Sequence, residues 1–150
     1  MPLATSPDRR ETPLDRQAYI DNILDHYEHP RNKHRMEHPS IQLGGGNPGC
    51  GDLITLYLKI SDDGRIEEVS YEGDGCTISQ AGGSIIAELI EGMTLDEVSA
   101  LGTHTMIEEM GEETVKSRVR CATLALGTAQ AAVKAYRDGQ RTESASTFEN

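Results

Sequence analysis

The sequence predicts an α+β fold, a small three-stranded antiparallel sheet packed against several helices. Residues 53–72 read as two strands around a turn, and a short edge strand at Gln42-Leu43 supplies the third. Every other periodic segment repeats at the helical spacing. The strands form one block and most helices a later one, the order of α+β rather than βαβ. At 150 residues the chain is long enough for one domain with a sizeable core, and it shows no internal repeat.

The elements follow in chain order. Residues 1–14 are polar and proline-bearing and read as a flexible arm. The domain body is expected over 15–138. Ile20, Ile23, Leu24 and Tyr27 then recur at i, i+3, i+4 and i+7, one face of a helix that Tyr19 borders and Pro30 stops. Residues 31–46 are expected to be mainly irregular, ending in Gly44-Gly45-Gly46. In 53–60 (LITLYLKI), Leu56, Leu58 and Ile60 alternate as a half-buried strand requires. Asp62-Asp63-Gly64 is a turn signal, and 65–72 forms the second arm with Ile66, Val69 and Tyr71.

Beyond the hairpin, residues 78–90 read as a helix with Ile85, Ile86, Leu89 and Ile90 apolar. Its small Ala81, Gly82, Gly83 and Ser84 suit close packing, and Gly92 suits its end. Thr94 with Glu97 has the capping-box spacing for a short helix that Gly102 closes. Residues 103–110 form another. A long helix is expected over 117–137, with Val119, Leu124, Ala125, Thr128, Ala131, Ala132 and Ala135 on a small-residue face. Residues 139–150 are a disordered tail by composition.

The net charge of −11 and pI near 4.8 argue against a nucleic-acid partner, which wants a basic face. No apolar run is long enough to cross a membrane, and Arg9-Arg10 has no apolar stretch behind it, so a cytoplasmic location is expected. The three cysteines are an odd number, expected to be reduced there.

None of Cys50, Cys76 and Cys121 belongs to a CxxC pair, which excludes a zinc ribbon and a thioredoxin-type motif. Cys50 lies in the bare loop NPGCGD, before the first hairpin strand. Cys76 and Cys121 lie at expected helix N-termini, where free amides and the helix dipole favour a thiolate. Converging thiolates need a cation or cluster between them, and Asp52 offers a hard, exchangeable fourth ligand. Three sulfurs and one oxygen suit tetrahedral Zn²⁺ or an iron–sulfur cluster. The plainer possibility is that each cysteine is a small buried hydrophobe and Asp52 caps a turn. Of the five histidines, His26, His29, His34 and His38 are expected to be solvated or capping. His104 is expected at the surface, and Met93, Met106 and Met110 in the core.

Four segments, in order, resemble the IscU/SufU/NifU N-terminal family of iron–sulfur cluster assembly proteins. They are DHYEHPRN (25–32), GGNPGCGD (45–52), YEGDGCTISQA (71–81) and RVRCATLALG (118–127). The resemblance implies a three-stranded sheet with helices and makes Cys50, Asp52, Cys76 and Cys121 the ligands. It implies a scaffold that takes persulfide sulfur from a pyridoxal-phosphate cysteine desulfurase, with Cys121 the foremost acceptor candidate beside Cys76 and Cys50. Such a scaffold assembles a transient 2Fe–2S cluster and passes it to apo-proteins. Tyr19 would fall on the helix that faces the desulfurase.

Two features depart from the IscU branch. Its histidine before the third cysteine is here Arg120, as in the SufU branch, and the stretch VKSRVRC lacks the LPPVK chaperone signal, which argues against a dedicated Hsp70. The stretch between Cys76 and Cys121 is nevertheless too short for the usual SufU insertion. A zinc-dependent sulfurtransferase that stimulates a desulfurase is therefore the alternative, and a non-catalytic metal-binding adaptor a second. Arg120 either lowers the pKa of Cys121 or makes a surface ion pair; the sequence leaves both open.

Overall fold

The computed structural model describes residues 13–47, 51–139 and 144–146. Helix α1 (Pro13–Glu28) leads into β1 (Ile41–Asn47), β2 (Asp52–Ile60) and β3 (Ile66–Asp74). Then come α2 (Thr77–Ile90), α3 (Leu95–Ala100), α4 (Thr103–Met110), α5 (Glu112–Val115), α6 (Val119–Arg137) and β4 (Ser144–Ser146). The expected three antiparallel strands stand in the order β3-β2-β1, with Leu43 opposite Leu56 and Leu56 opposite Tyr71. Beside β1, β4 adds a short parallel strand from a segment expected to be tail, pairing Gln42 with Ser144. Its backbone covers β1's open edge, which an edge strand otherwise leaves unpaired.

One face of the sheet carries the core. Ile41, Leu43, Ile54, Leu56, Leu58 and Tyr71 are buried against α2 and α6. Both helices come close because small residues meet the sheet. A Cβ on Gly83 of α2 would lie 2.7 Å from the ring of Tyr71, and one on Gly45 of β1 would run into Thr128 of α6, 3.2 Å from its Cβ. This explains a departure from expectation. Glycine is a poor strand residue, so the expected edge strand stops at Leu43 and the glycines after it read as irregular, yet the whole of Ile41–Asn47 pairs with β2 because α6 needs the space.

The capping box is present: Thr94 Oγ1 accepts from Glu97 N at 3.1 Å, and Glu97 Oε1 accepts from Thr94 N at 2.9 Å. Met106 and Met110 are fully buried, as expected.

Helix α1 is rotated from the expected face. Leu24 and Tyr27 are 41% and 44% exposed, whereas Ile23 and His26 are buried. Tyr19 packs on Gly111, whose Cβ would lie 2.6 Å from the ring at a φ of +91°. His26, expected to be solvated or capping, is instead buried and bonds Ser84 through Nδ1 at 2.7 Å, and Ser84 Oγ also accepts from Arg31 N at 2.9 Å. A buried hydroxyl on α2 thus anchors α1 and the turn after it, and the helix rolls so that its histidine reaches that hydroxyl. His29, His34 and His38 are exposed.

Two outcomes test this packing. Gly45→Ala should cost about 1–3 kcal/mol in urea unfolding, and adding Thr128→Ala should recover much of the loss. Equal, additive losses would mean that the two positions do not meet. His26 should give an acid-sensitive term. Burial lowers its pKa from the ordinary 6.5, Arg31 lowers it further, and Glu88 and Asp25 oppose. The unfolded chain therefore binds the proton more tightly. The contribution is whole above the unfolded value and is lost as pH falls through the folded one. Between pH 7.5 and 5.5 the parent should lose more stability than His26→Gln.

Candidate metal centre

Three elements converge at one end of the sheet. Asp52 opens β2, Cys76 caps α2, and Cys121 sits in the first turn of α6. Their ligand atoms all lie within 4.8 Å of one another. Asp52 is 2% exposed and Cys121 4%, whereas Cys76 is half-buried and nearest solvent.

The carboxylate joins the other two. Asp52 Oδ1 accepts from the backbone N of Cys76 at 2.9 Å, and Oδ2 accepts from the Cys121 thiol at 3.0 Å. Gly75 makes this approach possible. Its φ is +148°, and a Cβ there would strike Asp52 Oδ1 and lie 2.8 Å from Ser79 Oγ. Cys76 Sγ in turn accepts from Ser79 N at 3.5 Å in the first turn of α2.

The two thiols are driven apart electrostatically. Burial pushes Cys76 up, but hydrogen bonds from the Ser79 amide and from Cys121 outweigh it, and the net shift is downward. Burial raises Cys121 to about 12, helped by its bond to Asp52 and by the neighbouring Cys76. The Cys121 thiol therefore holds its proton more tightly than the Cys76 thiol, which is the more readily ionised of the two. Arg118, which caps α6, also meets the sulfurs: its bond to Cys121 and the negative charge at Cys76 raise its own pKa. Sequence reading named Arg120 and missed Arg118; both are exposed at the start of α6. The available signal was a position one helical turn before Cys121.

Of the sequence-derived ligands, Asp52, Cys76 and Cys121 come together, and Cys50 lies outside the described residues. His104 is exposed, with its ring over Gly102, and is not part of the group. Two thiols and a carboxylate at this spacing fit a borderline divalent metal or an iron–sulfur species, because soft and hard donors share one shell.

A small sheet whose end gathers thiols and a carboxylate from a strand and two helix N-termini defines an α+β protein with a candidate thiolate metal site. The family model for the NifU-like N-terminal domain matches residues 18–143, and the chain belongs to that family. It is 35% identical over 132 residues to the mitochondrial iron sulfur cluster assembly protein 1 of Schizosaccharomyces pombe, covering 86% of this chain and 68% of that one. To the iron-sulfur cluster assembly scaffold protein IscU of Escherichia coli K12 it is 33% identical over 123 residues, covering 80% and 94%. A crystal structure from Fervidobacterium islandicum AW-1, described as a cluster assembly scaffold for the SUF system, superposes with a TM-score of 0.66 at 27% identity. That match covers 75% of this chain and 94% of the other.

The proton arrangement sets an order of reactivity. In metal-free protein at pH 7.5, iodoacetamide should label Cys76 at least about tenfold faster than Cys121. Asp52→Ala removes the acceptor and its charge, so Cys121 should gain reactivity and the ratio should narrow. Peptide mass spectrometry reads both, and faster labelling of Cys121 in the parent would reverse the assignment.

Proposed function

We propose that this protein is an iron–sulfur cluster assembly scaffold. The observation that carries the reading is the convergence of Asp52, Cys76 and Cys121 within 4.8 Å, in a member of this family. With Cys50, these residues are the proposed ligands of the cluster, which is cargo rather than a permanent part of the protein. Asp52 suits release, because a carboxylate holds iron less tightly than thiolate does in such clusters.

The proposed sulfur donor is a pyridoxal-phosphate cysteine desulfurase carrying a persulfide. A scaffold thiolate attacks the terminal sulfur, a new S–S bond forms, the donor's S–S bond breaks, and the donor leaves as thiolate. Cys76 is half-buried and the more readily ionised of the two thiols, which suits it to this attack. Cys121 becomes competent once Asp52 or Arg118 takes up the change in charge. Exposed Leu53 and Val119 flank the site and give a partner apolar surface beside it. The recipients of the 2Fe–2S cluster are apo iron–sulfur proteins, and no dedicated Hsp70 is invoked. Among the described residues no helix is long and apolar enough to cross a membrane. A cytoplasmic setting is proposed because the thiols must stay reduced; the S. pombe relative is named as mitochondrial.

One observation favours a second reading. Arg118 against both sulfurs supports thiolates without iron, as a zinc-dependent sulfurtransferase that stimulates a desulfurase would need.

Anaerobic incubation with ferrous iron, cysteine and a desulfurase separates the two. A scaffold should develop a sulfur-to-iron charge-transfer band, which apo-ferredoxin then removes, and Cys76→Ser should abolish the band. Retained zinc, no band and faster desulfurase turnover would replace the scaffold by the sulfurtransferase.

A further inference from the structure

Two residues behind Cys76 are buried and carry polar side chains whose roles the site as described leaves open. Ser79 is 1% exposed and Gln80 is 4% exposed. Gln80 Nε2 donates to Ser79 Oγ at 3.4 Å, and Ser79 Oγ donates to the Cys76 carbonyl at 3.0 Å. The backbone N of Gln80 reaches the same carbonyl at 3.1 Å. Ser79 N points at Cys76 Sγ, 3.5 Å away. Tyr71 of β3 holds the Gln80 carbonyl from the other side, its hydroxyl donating at 3.2 Å.

The other end of the Gln80 amide is the telling part. Its Oε1 is buried and has no hydrogen-bond partner among the described residues. It lies where β3 has a glycine: a Cβ on Gly73 would be 3.3 Å from it. An unpartnered buried acceptor costs stability, and a methionine of similar shape would fill the space without that cost. Packing therefore does not account for an amide here. Its NH₂ group does, because that group directs the Ser79 hydroxyl, and the hydroxyl fixes the carbonyl and turn of Cys76.

We infer that Ser79 and Gln80 act as a positioning pair that aims the Cys76 sulfur at Asp52 and Cys121. The inference rests on the reading that Cys76 is a metal ligand. It assigns Gln80 to ligand orientation at the expense of fold stability, in the way that partners behind a ligand set its direction at other metal sites.

Cobalt(II) is a suitable probe, because a sulfur-to-cobalt charge-transfer band reports thiolate ligation directly. Gln80→Met keeps the shape and removes the hydrogen bonds. Its metal-free Tm should equal or exceed the parent's, its cobalt Kd should weaken about tenfold, and the band should shift. Ser79→Ala, which removes only the hydroxyl, should weaken binding in the same sense and keeps the test open if the methionine variant does not fold. A parent that binds cobalt and variants that bind it equally tightly would overturn the inference alone. So would a Tm and an affinity that fall together, which would mark Gln80 as a packing residue. A parent with no thiolate band would remove the metal reading, and the positioning role with it.

Discussion

The Asp52 carboxylate is the interaction on which the centre depends. Its two oxygens engage an amide at the start of α2 and a thiol in the first turn of α6, so one side chain at the start of β2 ties three elements together. It also decides where the proton rests. A buried carboxylate next to two thiols opposes ionisation of both, and the thiol that donates to it keeps its hydrogen. The other, supplied with a backbone donor by Ser79, ionises more readily. The asymmetry between two chemically identical side chains is therefore written in their hydrogen bonds rather than in their immediate sequence.

Close packing of helices on the sheet makes this convergence possible. Gly83 over Tyr71 and Gly45 under Thr128 bring α2 and α6 near the sheet, so that their first turns reach the start of β2. Larger residues at either contact would lift a helix and move its cysteine. The glycines are thus determinants of the centre although they offer no ligand, and Gly75 does the same locally by making room for the carboxylate.

Features carried by neighbouring residues were legible in the sequence. The Thr94–Glu97 capping box, the turn at Asp62-Asp63-Gly64, the alternating Leu56, Leu58 and Ile60, and the helix over Thr103–Met110 are each encoded within one or two turns or strand repeats. So was the grouping of Asp52, Cys76 and Cys121: the first two stand beside glycines, where packing explains an unusual side chain poorly, and the third stands at an expected helix start. What was not legible depends on distant partners. His26 reads as polar and solvated until Ser84, 58 positions away, proves to be its neighbour. Leu24 and Tyr27 fit an apolar stripe just as well as Ile23 does, and only the docked helix shows which side faces inward. The glycine strand β1 contradicts its own propensity because α6 overrides it. Arg118 carried no local mark beyond its place one turn before a cysteine.

The donors Asp52 and Cys121 are 69 positions apart, and the second belongs to the last long helix. The chain is synthesised from its N-terminus and a domain folds as a unit, so Asp52 and Cys76 emerge well before their third companion. A chain arrested before α6 docks holds only part of the candidate shell. Completion of the shell therefore coincides with completion of the fold. An ion that requires the full set distinguishes finished molecules from unfinished ones, and by mass action it stabilises only the finished ones.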